Sequence, residues 1–245
     1  MSISERFISY FLEGVAYCLS FVSILIYTIK INRETQFKIL TGFLFLVTVI
    51  AVKISVRKGV SNSLLYSYIY LLNSVGWSLF FFFLFKDPVR KAISLVPGLI
   101  TLIYFIQKVV LSEFDRVFDS IGYVICSTGI VLLLFLYFQY LLANVKSERL
   151  SMNFNFWLSC SQLVYNLGAF AIFLTYNHFT LRILDDYTPE KRSILTSLWG
   201  VHNLLLFLSS IIILIALVWI SRNRLPKNNI LQNKLAEGTP MIKPN

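Results

Sequence analysis

Seven apolar stretches of about twenty residues follow one another between Phe7 and Ile220, each long enough to cross a hydrocarbon core of roughly 30 Å as an α-helix. No other feature restricts this chain so severely. Inside lipid, backbone N–H and C=O groups have no water to bond, so a segment must satisfy them internally, as a helix does. Charged residues make up 14% of the chain, whereas a soluble domain carries about a quarter. The pattern predicts an all-α membrane protein, a seven-transmembrane helix bundle over residues 1–220. The expected spans are Phe7–Ile29, Phe37–Val52, Ser63–Phe85, Lys91–Leu111, Val117–Ala143, Phe154–Tyr176 and Ile194–Ile220. Pro97-Gly98 lies near the start of the fourth, where a kink or a late helix start is expected.

The net charge of +10 is a matter of topology rather than of nucleic-acid binding, because the basic residues lie in short loops beside span ends. Placing the N-terminus outside gives the cytoplasmic side the larger share of lysine and arginine. That share includes Lys30, Arg33, Lys86, Arg90 and the basic residues after Ser221. The positive-inside tendency therefore predicts N-terminus outside and C-terminus cytoplasmic, with Arg57 and Lys58 running against the trend. Residues 221–245 are polar and basic, and they carry Pro226, Pro240 and Pro244. They are expected to form a disordered cytoplasmic tail resting on anionic headgroups. The lipid bilayer, most simply a bacterial plasma membrane, is the expected surrounding.

Ionisable and amide side chains within the spans mark candidate function, since each is costly in lipid unless it turns toward the bundle interior. Glu13 falls in the first span, and His202 with Asn203 in the last. Gln162 and Asn166 share a face of the sixth at i and i+4. Helical spacing adds Tyr10, Tyr17 and Ser20 to the Glu13 stripe, and groups Tyr66, Tyr70, Asn73 and Trp77 on the third helix. In the expected topology, Glu13, Tyr17, Tyr70, Asn73, Asn166, His202 and Asn203 all lie between the outer surface and the midplane. Together they predict an outward-opening pocket for a small polar or cationic ligand, in which Glu13 and His202 form a proton-linked pair. Ordinary interhelical hydrogen bonding accounts for many such polar residues, at around 0.6 kcal/mol each. Acidic residues in two outer loops, Glu113, Asp115, Asp119, Asp185, Asp186 and Glu190, read as ordinary solvated loop charge, with a cation-attracting acidic rim as the alternative.

Catalytic chemistry finds little support. His178 and His202 are the only histidines, so a three-histidine zinc site is ruled out, and no metal or cofactor is expected. Neither a Gly-x-Ser-x-Gly elbow nor an HExxH or phosphate-binding loop occurs. The last span holds no lysine to carry retinal. Cys18, Cys126 and Cys160 fall within apolar runs and read as small packing residues. Gly122, Cys126 and Gly129 form a stripe suited to close helix packing.

The sixth and seventh spans carry a resemblance. Phe156-Trp157-Leu158-Ser159, Leu163-Val164-Tyr165, Gly168 and Phe173-Leu174 resemble a pattern in uncharacterised small seven-helix bacterial integral membrane proteins. Leu198-Trp199-Gly200-Val201-His202-Asn203, followed by an apolar run closing on Trp219, is similar to their last helix. Related seven-helix modules serve as inputs to sensor histidine kinases. The resemblance implies a non-enzymatic receptor or sensor that signals through a membrane-associated partner such as a histidine kinase. A small-molecule transporter and a non-catalytic membrane scaffold are the alternatives. A transporter with repeated three-helix halves would align Cys18 with Cys126 and Gly14 with Gly122.

Overall fold

In a computed structural model, the backbone is described over residues 3–56, 63–111, 118–144, 150–183 and 189–237. Side chains are described over 11–55, 63–111, 118–144, 150–179 and 193–223. The helices are α1 (Ile3–Lys30), α2 (Thr35–Val56), α3 (Ser63–Leu84), α4 (Pro88–Val110), α5 (Ser120–Asn144), α6 (Phe154–Ile183) and α7 (Pro189–Glu237). Each contains a stretch long and apolar enough to cross a membrane, and no strand occurs among the described residues. The chain is thus a multi-pass, all-helical protein built for a bilayer.

Two helix boundaries differ from the sequence expectation. The fourth helix starts neither late nor at Pro97-Gly98: it begins at Pro88 and runs through both residues. Asp87 supplies the reason, because its carboxylate accepts from the Val89 amide at 3.3 Å while Pro88 occupies the first helical turn. Around Pro97, Ser74 and Ser78 of α3 and Thr101 of α4 itself bond the local backbone. The Gly98 amide donates to Ser78 Oγ (2.9 Å), and the Pro97 carbonyl accepts from Ser74 Oγ (3.2 Å) and Thr101 Oγ1 (2.9 Å). At the other end of the chain, α7 runs from Pro189 past Ile220 as far as Glu237. Residues 238–245 lie outside the described residues.

Successive helices pack side by side, α3 also meets α5, and α1 meets α7. This closes α1, α2, α3, α5, α6 and α7 into a ring, with α4 lodged from outside against α3 and α5. The position of α4 shows in its burial: only 22% of its span is buried, against 39–50% for the others. Its outward residues Val96, Leu99, Ile100 and Ile103 are apolar, as a lipid-facing surface requires. Gly129 of α5 lets α4 approach closely, since a Cβ there would lie 2.7 Å from Pro97.

The starts of α1, α3, α5 and α7 meet at one end of the ring, called here the N end, together with the ends of α2, α4 and α6. Hydroxyl pairs tie neighbouring helices within the core. Ser20 bonds Ser210 across α1 and α7 at 2.9 Å, and Ser210 also donates to the Ala16 carbonyl (2.8 Å). Ser161 of α6 meets Ser209 of α7 at 2.7 Å, and Thr28 of α1 meets Thr41 of α2 at 3.1 Å. The opposite end is closed by aromatic rings. Tyr27 stacks on Phe154 with centroids 3.8 Å apart, and Phe37 packs edge-on to Phe80.

Candidate functional site

Glu13 is placed by the second half of the Ile3–Glu13–Tyr17 stretch of α1, where helical spacing turns it and Tyr17 onto the inner face together. Its side chain is 2% exposed. The Tyr66 hydroxyl of α3 donates to Glu13 Oε2 at 3.1 Å, while Oε1 has no hydrogen-bond partner among the described residues. Among the described residues, no lysine or arginine pairs with it. One turn further along α1, Tyr17 is buried beside Asn73 of α3 and Tyr165 of α6, and its hydroxyl makes no direct hydrogen bond of normal geometry.

His202 enters from α7, 1% exposed, with Asn203 fully buried beside it. Its ring is surrounded by other rings: Phe173 at 4.7 Å between centroids, Trp199 at 5.4 Å, Tyr165 at 5.6 Å and Tyr123 at 6.3 Å. Nδ1 of His202 has no hydrogen-bond partner, and neither does Nε1 of Trp199. Glu13 and Tyr17 from α1 therefore stand in one buried aromatic cluster, called here the chamber, with His202 and Trp199 from α7 and with Tyr66, Tyr123 and Tyr165. At its N end, the chamber is covered by three rings packed edge to face. The Trp199 centroid lies 5.1 Å from that of Tyr66 and 5.0 Å from that of Phe118, and Tyr66 lies 5.6 Å from Phe118.

The other residues expected at the site are divided. Asn73 is half-buried next to Tyr17 and belongs to the chamber wall. Asn166 is buried, yet its amide donates to the Gln162 carbonyl (2.8 Å) and to Gln162 Oε1 (3.3 Å), so those donors are spent on its own helix. Tyr70 turns to a second carboxylate. Its hydroxyl donates to Asp119 Oδ2 at 2.9 Å, and Tyr104 of α4 donates to Oδ1 at 2.9 Å. The Gly122 amide adds a bond to Oδ1 at 3.1 Å, which makes Asp119 the N-cap of α5. Asp119, expected as solvated loop charge or as part of an acidic rim, fastens α3 and α4 to the start of α5. Of the remaining rim residues, Glu113, Asp115, Asp185 and Asp186 lie outside the described residues, as do the side chains of Glu190 and Tyr10.

Sequence reasoning passed over the rings that build the chamber: Phe118, Tyr123, Tyr165 and Phe173. Tyr66 and Trp199 carried a signal, since both shared helical faces with candidate residues. His178 lies elsewhere, at a surface hollow of about 430 Å³ whose described lining residues are Leu174, Thr175, Asn177 and His178 of α6. Among the described residues, no group of three His, Cys, Asp or Glu side chains is arranged to hold a metal ion. The three cysteines are unpaired thiols.

The arrangement is a closely packed, mainly aromatic cluster around a few buried polar atoms, a composition shared with small-molecule sites. Each polar atom left without a partner in such a space costs about 1–3 kcal/mol, which a bound ligand or ordered water recovers. No protein-family model, curated protein or solved structure matches this chain.

Proposed function

We propose that this multi-pass membrane protein is a receptor- or sensor-like module, which binds a small ligand in the chamber between α1 and α7 and signals through a membrane-associated partner. The supporting observation is the placement of Glu13 Oε1, Trp199 Nε1 and His202 Nδ1 in one cluster beside the Tyr17 hydroxyl, all three buried and without hydrogen-bond partners among the described residues. A bundle held together only by packing gains nothing from leaving such atoms unsatisfied. Signalling follows from where these residues stand. Ligand bonds to both α1 and α7 would alter the contact between the helices that close the ring, and α7 runs on beyond its membrane span. A kinase of the histidine type is the partner class this reading favours. With the N-terminus outside, the chamber lies toward the exterior end of the bundle, beneath the Tyr66, Phe118 and Trp199 rings.

The test is thermal unfolding of the purified full chain in detergent against a panel of small polar molecules. A binding module gains several degrees in Tm with particular compounds, by mass action on the folded state. A Tm indifferent to the whole panel, with a dry chamber in an experimental structure, would establish a scaffold instead. Uptake of a responding compound into proteoliposomes would establish a transporter.

A further inference from the structure

We propose that the ligand of this chamber is a small organic monocation, an alkylammonium compound whose N–H groups bond Glu13 Oε1 and whose carbon atoms lie against the aromatic walls. The inference rests on the reading of the chamber as a binding site and adds the chemical class of what fills it.

Charge is the first argument. Glu13 is buried within a membrane span, and among the described residues no lysine or arginine pairs with it. A carboxylate and an ammonium ion together form a neutral pair, which the low-dielectric interior tolerates far better than either charge alone. An anionic ligand would add a second negative charge at the same place.

Hydrogen-bond inventory is the second. An alkylammonium group has donors and no acceptor, so it requires acceptors around it. Glu13 Oε1 and the Tyr17 hydroxyl oxygen provide them, and His202 Nδ1 is a third when the ring carries its proton on Nε2. The walls are the third argument. Tyr66, Tyr123, Phe173 and Trp199 pack ring against ring beside these polar atoms, and aromatic rings attract organic cations through their quadrupoles. A strongly hydrated metal ion would need more oxygen ligands than Glu13 and Tyr17 offer.

Asp119 is the natural comparison and does not compete. Its carboxylate already receives Tyr70, Tyr104 and the Gly122 amide. Glu13 receives Tyr66 alone and keeps one oxygen vacant. The unpartnered chamber atoms are sealed from solvent, so access requires the Tyr66–Phe118–Trp199 rings to part.

The experiment compares butylammonium, butanol and butyrate, at equal ionic strength, by thermal unfolding and calorimetric titration of the full chain in detergent. Butylammonium is expected to raise Tm and to titrate at millimolar concentration, while butanol and butyrate do neither. Glu13→Gln, which keeps the side chain's shape, should weaken butylammonium binding by at least about tenfold, the consequence of losing one charged partner. His202→Phe provides a second variant that fills the same space, and it should weaken binding without removing the preference for the cation. If butanol or butyrate binds as well as butylammonium, or if Glu13→Gln binds butylammonium unchanged, the cation assignment is overturned and the chamber reading survives. Silence toward all three probes and the wider panel would overturn both.

Discussion

Asp119 and Glu13 lie at the same end of the bundle, but Asp119 accepts from two tyrosine hydroxyls and a backbone amide whereas Glu13 accepts from one tyrosine. Their neighbours assign them different tasks. Removing the Asp119 carboxylate leaves Tyr70, Tyr104 and the first turn of α5 with donors aimed at nothing. Asp119→Ala is therefore expected to lower stability by about 3 kcal/mol, read as a drop in Tm in detergent. Glu13→Gln, by contrast, should leave Tm close to wild type, because Tyr66 keeps an oxygen to bond. Glu13 and His202 were legible in the sequence, since an ionisable residue in an apolar run stands out against its background. Tyr123, Tyr165 and Phe173 were not. In a chain with 22 phenylalanines and 13 tyrosines, an aromatic residue lining a chamber has the same sequence signature as one facing lipid. Asp119 misled for a related reason: its position in a loop suggested solvent, and only the fold brings Tyr70 and Tyr104 to it.

Among the elements, α7 has the most demanding task, because it must hold both α6 and α1. It does so with adjacent serines, Ser209 toward Ser161 and Ser210 toward Ser20 and the Ala16 carbonyl. Adjacent residues on a helix point about 100° apart, so a serine pair reaches two neighbours at once. The double substitution Ser209→Ala/Ser210→Ala is expected to cost about 1–2 kcal/mol, with unfolding in detergent as the measurement. The existence of every helix could be read from hydropathy, which responds to any apolar run of sufficient length. Boundaries were less accessible, as α4 shows. Asp87-Pro88 is a sound start signal, but Pro97-Gly98 is a louder apparent break. What silences that break is Ser74 and Ser78 on another helix, which no local pattern reveals.

At the scale of the whole molecule, the ring places Lys30, Arg33, Lys86 and Arg90 at the end opposite the chamber. If that end faces the cytoplasm, as the distribution of basic residues favours, the chamber faces out. The prediction is direct. A cysteine introduced at Asn177 should react with an impermeant maleimide on intact cells, and one at Asn32 only after lysis; the reverse pattern would turn the chamber inward. The packing of α1 against α7 also bears on how the protein is made. Glu13 emerges from the ribosome with the first helix, and His202 with the last. During most of synthesis, the acid must therefore wait in the bilayer without the walls that later enclose it, with Tyr66 as its earliest available companion. The chamber is accordingly the last part of the molecule to take shape, and incomplete translation yields helices already in the membrane that have nowhere to put their buried acid.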